Sequence, residues 1–200
     1  MGQHLELIFL SDDRIEHDKL SEELVKAGVT GEKWGGYLKG GGYGQMTWAC
    51  SVKPLDLVVA NYEGNWNKHF VTVGFDSAVF RGMTTPNERK RLVDEFLKLG
   101  SELWRAFPFY EGALSPEEEG PLLYSLRQSS TDEMRRLLPL NHHATFLSAT
   151  AAELVNPYQW IPQAHPHSII TPQGRDGLLV IWDASSEGFA RFLSEEFSIN

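Results

Sequence analysis

Residues 85–108 read TPNERKRLVDEFLKLGSELWRAFP, and this stretch decides how the rest of the chain is interpreted. Thr85 and Glu88 have the spacing of a capping box, Pro86 stands at the first helical position, and Pro108 ends the pattern. The apolar residues at helical spacing are Leu92, Val93, Phe96, Leu97, Leu99, Leu103, Trp104 and Phe107. We therefore predict a long helix over Pro86–Phe107 whose apolar face, including a buried Phe96, packs on a sheet.

The segments on either side of this helix alternate in the manner of strands or carry helical periodicity. Strands are predicted over His4–Leu10, Met46–Val52, Leu55–Tyr62, His69–Arg81, Phe109–Leu114 and Ala144–Leu147, with a hairpin of His167–Thr171 and Leu178–Trp182. Shorter helices are predicted over Glu16–Ala27, Thr131–Leu138 and Ser186–Phe197, and one more begins at Thr150. Strands interrupted by separate helices are typical of the α+β class. We expect a single domain, residues 1–200, with a mostly antiparallel sheet packed by a long central helix and shorter helices.

Seven glycines lie within the fourteen residues Gly31–Gly44, interleaved with Trp34, Tyr37 and Tyr43. Glycine weakens regular structure because it loses the most conformational freedom on folding, so we predict an exposed or gating loop here. A phosphate-binding loop needs Gly-Lys-Ser/Thr opening a helix, whereas Gly44 is followed by Gln-Met-Thr. Nucleotide binding is therefore disfavoured.

The overall charge limits the classes of partner. The chain has 200 residues and a formal net charge of −9, which opposes attraction to phosphate backbones and anionic membranes. We expect neither nucleic acid nor membrane as a partner. A single cysteine and an N-terminal segment without a basic start or a long apolar run favour a cytoplasmic location.

No set of residues for catalysis or metal binding stands out. The histidine clusters His142-His143 and His165-Pro166-His167 lack nearby thiolates and the helical His-Glu spacing of zinc proteases. No Gly-x-Ser-x-Gly motif occurs, and Cys50, in a predicted strand, is expected to be buried. We expect no metal, no cofactor and no enzymatic activity.

What remains is a surface suited to binding. Acidic charge accelerates encounter with a basic protein, and aromatic residues set among glycines can supply rigid contacts on an adaptable backbone. The predicted partner-binding residues are Trp34, Tyr37, Tyr43, Trp66, Glu117, Glu118 and Glu119. The location of the interface and the oligomeric state are left open.

Three segments in order resemble immunity proteins of bacterial polymorphic and type VI secretion toxin systems. They are LWRAFPFYEG at residues 103–112, NHHATFL at 141–147 and DGLLVIW at 176–182, within a region of roughly residues 70–182. The resemblance implies a small α+β protein that binds a cognate toxin and neutralises it by steric occlusion, without catalysis.

Two other classes stay open on the sequence. One is a small enzyme, metal-dependent through His165 and His167, because an His-x-His on a strand points both rings to one face. The other is a regulatory or phage interaction protein, which no particular residue in the sequence supports.

Overall fold

The structure, a computed structural model, describes residues 4–31, 35–38, 41–64, 68–76, 79, 85–116, 143–155, 168–170 and 176–181. Ten strands lie in these ranges. They are β1 (His4–Ser11), β2 (Val29–Thr30), β3 (Gly35–Leu38), β4 (Gly41–Trp48), β5 (Leu55–Glu63), β6 (His69–Asp76), β7 (Glu111–Pro116), β8 (Ala144–Ser148), β9 (Ser168–Ile170) and β10 (Gly177–Ile181).

Three helices lie in the same ranges: α1 (His17–Lys26), α2 (Pro86–Ala106) and α3 (Ala149–Val155). The capping box predicted for α2 is present, because the Thr85 side chain accepts from the Glu88 N–H while the Glu88 carboxylate accepts from the Thr85 N–H. Ser148 caps α3, since its Oγ accepts from the Ala151 N–H at 3.2 Å. Both caps satisfy N–H groups that a helix leaves open in its first turn.

The strands form one sheet in the order β2-β4-β5-β6-β1-β7-β8-β10-β9, with β3 also paired to β4. Every described pair is antiparallel. The first strand therefore lies in the middle of the sheet, between β6 and β7. The coarse prediction of an α+β fold with an antiparallel sheet is confirmed.

One face of the sheet, which we call the helix face, packs against α1 and α2. Phe96 of α2 is fully buried and contacts Phe75 of β6 and Trp48 of β4, with ring centroids 4.9 and 5.7 Å apart. Farther along, Trp104 of α2 lies 5.4 Å from the ring of Phe146. The burial predicted for Phe96 is confirmed.

The opposite face of the sheet is covered over only part of its width. At the β7-β8-β10 end it forms a second apolar cluster with α3, which contains Ala113, Leu147 and Leu178 together with Ala151 of the helix. At the β4-β5 end the residues on this face are exposed or half-buried. Antiparallel sheets often have one face in water. The β4-β5 end of this face is therefore the part of the sheet that a partner could contact.

The prediction of an irregular loop over Gly31–Gly44 is wrong in its described part, which contains β3 and the first half of β4. The reason is tertiary pairing: β4 pairs with β5 from Gly42 to Trp48, and these ladder hydrogen bonds outweigh the conformational cost of glycine. Cys50 is buried as predicted, but it follows the end of β4 and is not in a strand.

The expectation of a long helix at the centre of the molecule also needs correction. The sheet is the central element, and α2 lies against one face of it. The helices predicted over Thr131–Leu138 and Ser186–Phe197 lie outside the described residues.

Candidate partner-binding surface

The uncovered part of the second face, here called the open face, is assembled by cross-strand register. Residues paired across antiparallel strands project to the same side of a sheet, so the register places each side chain. One row runs through Gln45, Val58, Gly74 and Glu6. The described residues of the open face include Glu6, Thr30, Tyr43, Gln45, Thr47, Asp56, Val58, Ala60, Tyr62, Gly74 and Asp76.

The charged side chains that the structure describes on the open face have one sign. They are those of Glu6, Asp56 and Asp76, and none of the described residues of this face is lysine or arginine. Asp56 and Asp76 are exposed and Glu6 is half-buried. Asp56 also accepts from the Thr47 hydroxyl across the β4-β5 pair at 3.4 Å. A one-sided distribution of this kind attracts positively charged partners from a distance.

The open face also carries two tyrosines. Tyr43 of β4 is 45% exposed, and Tyr43 and Val25 are the large apolar or aromatic residues that the described part of the chain leaves exposed. Tyr62 is half-buried, with its ring stacked on that of Phe70 at a centroid distance of 5.3 Å. Burial raises the pKa of Tyr62, and the nearby charge of Glu6 raises this pKa further. Tyrosine combines a large contact area with a hydrogen-bonding tip, which suits it to interfaces.

Gly74 lies beneath the Glu6 side chain on the open face. A Cβ placed on Gly74 would meet the Glu6 side chain, with Cγ at 2.7 Å, Oε1 at 3.1 Å and Cδ at 3.3 Å. Glu6 therefore lies across the space that the missing side chain leaves. Gly74 is opposite both Glu6 and Val58, whereas Tyr62 is opposite Phe70, four residues farther along β5.

A basic residue at the border of the open face is paired within the chain. Lys68, immediately before β6, makes an ion pair with Asp12, immediately after β1. The Gly64 N–H donates to the Lys68 carbonyl at 2.8 Å and continues the β5-β6 pairing beyond the strands. Because Lys68 is paired with Asp12, its charge does not cancel those of the acidic residues on the open face.

The covered end of the same sheet face holds buried polar residues. They are Glu111, Ser115, His143 and Thr145 on β7, on β8 or just before β8. The His143 N–H donates to the Leu114 carbonyl at 2.8 Å, which brings His143 beside Ser115. A serine next to a histidine suggests a nucleophile, but Ser115 is fully buried and out of reach of a dissolved substrate.

A groove of about 690 Å³ lies on the helix-face side between α1, α2 and the end of β4. Its volume is in the range of small-molecule sites, roughly 300–1,000 Å³. The carboxylates lining it are paired within the chain: Glu23 with Lys26 at 2.6 Å, Glu95 with Arg91 at 3.3 Å, and Glu102 with Arg105. The groove therefore has basic residues beside each of its carboxylates.

Glu95 in this groove has the most connected carboxylate. Its Oε2 accepts from the Ser51 N–H at 2.8 Å, and its Oε1 accepts from the Ser51 hydroxyl. Burial acts to raise the pKa of Glu95, but the bonds from Ser51 and the charge of Arg91 outweigh it, so the pKa lies below its usual value. These bonds join α2 to the segment after β4.

The residues predicted to bind a partner are placed unevenly. Tyr43 lies on the open face and Tyr37 lies in β3, which pairs with β4 beside it. The side chain of Tyr37 and the residues Trp34, Trp66, Glu117, Glu118 and Glu119 lie outside the described residues, as do His142, His165 and His167.

Sequence reasoning missed Glu6, Asp56, Tyr62 and Asp76. The alternation in β5, where Asp56, Val58 and Ala60 separate buried neighbours, is a signal for an outward-facing row. Nothing in the sequence says which strands lie beside β5, so the acidic residues of separate strands cannot be joined from the pattern alone.

Comparison with protein families, with curated proteins and with solved structures gives no match to this chain. Within the described ranges, no helix is long and apolar enough to cross a membrane. The same residues contain no group of three or more histidine, cysteine, aspartate or glutamate side chains arranged to hold a metal ion.

Proposed function

We propose that the protein is an inhibitor of the immunity type, which binds a basic cognate toxin on the open face and neutralises it by steric occlusion. The observation that supports this proposal most directly is the charge of that face. Glu6, Asp56 and Asp76 stand on it with no lysine or arginine among its described residues. Blocking a partner in this way requires a surface and no catalytic group.

Tyr43 is the proposed anchor within this surface. An exposed tyrosine surrounded by small and polar residues can enter a pocket of a partner, and residues of this kind commonly dominate binding energy. The proposal extends the contact to Tyr37 in β3, which pairs with β4, and includes Trp34 on its residue type alone. Trp66 and the run Glu117, Glu118 and Glu119 are proposed as further partner contacts, on their residue types alone.

The two kinds of residue are expected to act on different rate constants. Carboxylates at the rim mainly steer encounter, so Asp56→Asn with Asp76→Asn should slow association by up to about ten-fold at low ionic strength. The effect should fade at high salt, where the Debye length falls to about 3 Å at 1 M. Tyr43→Ala should raise the dissociation rate by roughly thirty-fold, corresponding to about 2 kcal/mol at a true hot spot.

The test uses surface plasmon resonance against the product of the adjacent reading frame, at low and high salt. Co-expression in a growth assay then asks whether the protein relieves toxicity of that product. Val25→Ala is the matched control for Tyr43→Ala, because Val25 is 59% exposed on α1, which packs on the opposite side of the sheet. This control should leave both rate constants unchanged.

Two results would count against the proposal. If the wild-type protein neither binds the neighbouring product nor relieves its toxicity, the inhibitor function fails for that partner. If binding occurs but Tyr43→Ala and the double aspartate variant bind like wild type, the open face is not the interface.

A further inference from the structure

The open face is divided along the strand direction into an acidic half and an aromatic half. Its residues form rows that follow the cross-strand register, and successive rows are two residues, or about 7 Å, apart. Val58 is paired with Gly74, and Glu6 belongs to the same row. Asp56 and Asp76 each lie two residues from that row, and they lie on the same side of it because β5 and β6 run in opposite directions. The three carboxylates therefore occupy two adjacent rows, which form the acidic half.

The aromatic half begins in the next row, on the other side of Val58. Tyr43 is paired with Ala60 there, and Tyr62 lies one row farther along β5. Tyr43 is exposed, whereas Ala60 and Tyr62 are half-buried, so part of each still meets solvent. Asp56 and Tyr62 are separated by about 20 Å along the strand. A surface of this length therefore has a charged end and an aromatic end.

We propose that the open face binds an amphipathic helix of the basic partner, which lies along the strands with its lysine or arginine side chains over the acidic half and its apolar side chains over the aromatic half. The inference rests on the proposed function, in which a basic partner docks on this face. It deepens that function by naming the kind of segment that docks and the direction in which it lies.

A helix suits this surface in length and in the way the same sheet is covered elsewhere. A length of about 20 Å corresponds to a helix of about 13 residues. At the β7-β8-β10 end of the same sheet face the covering element is the helix α3, and its Ala151 and Ala152 belong to the apolar cluster there. The β5 residues between the two ends of the open face, Val58 and Ala60, have small side chains. A helix can therefore approach the sheet closely at this point.

Charge complementarity sets the direction of the helix. Asp56 and Asp76 are exposed and Glu6 is half-buried, and the described residues of this face include no lysine or arginine that would compete for them. Basic side chains over these carboxylates gain charge-assisted hydrogen bonds. In the reverse direction apolar side chains would remove water from the carboxylates without replacing its hydrogen bonds, which costs free energy. The two directions are therefore unequal.

The test uses a synthetic helical peptide of about 16 residues, with lysines in the first half and leucines in the second half of one helix face. The control ligand is a peptide of the same composition in which lysine and leucine alternate along that face. Backbone amide signals of the protein are followed by NMR during titration at low salt. We expect saturable shifts in β4, β5 and β6 and none in α1. The divided peptide should bind at least about ten-fold more tightly than the mixed one, a difference of about 1.4 kcal/mol.

A nitroxide spin label on the divided peptide reports its direction. A label at the lysine end should broaden the amide signals of Asp56 and Asp76, and a label at the leucine end should broaden that of Tyr62. Asp56→Asn with Asp76→Asn should weaken the divided peptide by about ten-fold or more at low salt. The matched control, Glu22→Gln with Asp94→Asn, removes two charges from exposed positions on α1 and α2 and should leave the affinity unchanged.

Three results would overturn the helix: no saturable shifts or equal affinities for the two peptides, broadening that does not depend on the labelled end, or unchanged binding by the double aspartate variant. The comparison of peptides needs no variant of the protein, so it remains decisive if a variant does not fold. None of these measurements involves the toxin. Toxin binding on the open face without discrimination between the peptides rejects the helix alone, and discrimination without toxin binding rejects the inhibitor proposal for that partner alone.

Discussion

Replacing Phe96 by alanine should destabilise the protein strongly, because this side chain joins α2 to two strands of the sheet. Phe96 is fully buried, with an edge-on contact to Phe75 and a tilted contact to Trp48. Deleting a buried phenylalanine costs about 3–5 kcal/mol through lost burial and the cavity left behind. Two aromatic partners place this site toward the upper part of that range, since each aromatic pair contributes roughly 0.5–1.5 kcal/mol beyond burial.

The measurement is urea unfolding followed by tryptophan fluorescence, with the melting temperature as a second readout. For a chain of this size a loss of 3–5 kcal/mol lowers the melting temperature by about 6–20 °C. Phe96→Leu keeps most of the volume and should cost less than half as much, and Lys98→Ala, at an exposed position of the same helix, should stay within about 0.5 kcal/mol of wild type. A Phe96→Ala variant within 1 kcal/mol of wild type would refute the packing of α2 on the sheet.

Three further changes test separate contacts. Ser115→Ala should leave stability unchanged or raise it by about 1 kcal/mol in urea unfolding, because the Ser115 hydroxyl is fully buried and has no hydrogen-bond partner among the described residues; a clear loss of stability would indicate that the hydroxyl is bonded. Gly112→Ala should destabilise the protein by more than about 1 kcal/mol, because the new Cβ would lie 2.5 Å from a ring carbon of the buried Phe9. A variant that melts at the wild-type temperature would show that the Phe9 ring can move. The pKa of Glu95 is lowered in the folded state, so the bonds from Ser51 stabilise the protein fully at pH values above the usual pKa of 4.5. This stabilisation is lost as the pH falls through the lower pKa of the folded state. Ser51→Ala should therefore be less stable than wild type by about 1 kcal/mol at neutral pH and closer to it in acid, and a gap that does not narrow would contradict this linkage.

Local signals were sufficient for the elements that local chemistry controls. The capping box at Thr85 and Glu88 fixed where α2 begins, and the pattern in Leu55–Tyr62 indicated the strand that became β5. For the glycine-rich segment Gly31–Gly44, local signals predicted a loop where the structure has strands. Its backbone is ordered by partners in β5, and a propensity argument that considers one segment at a time does not include those bonds.

The candidate site could be anticipated only in part. Tyr43 was identified because it is an aromatic residue among glycines, and it is exposed in the structure. Glu6, Asp56 and Asp76 lie far apart along the chain, and they share one face because β1, β6 and β5 are neighbours in the sheet. Sheet order is a property of the whole chain, so no short motif could have joined these residues.

The position of β1 in the middle of the sheet has a consequence for synthesis and folding. During translation β1 emerges before its two neighbours, which begin only at His69 and Glu111, so its hydrogen bonds must wait for those segments. Pairing between such distant segments slows folding, because the entropy of closing large loops is lost before contacts compensate for it. Until β6 and β7 arrive, the apolar run Leu7–Leu10 is exposed on the nascent chain, and this is the interval in which a chaperone would be needed most.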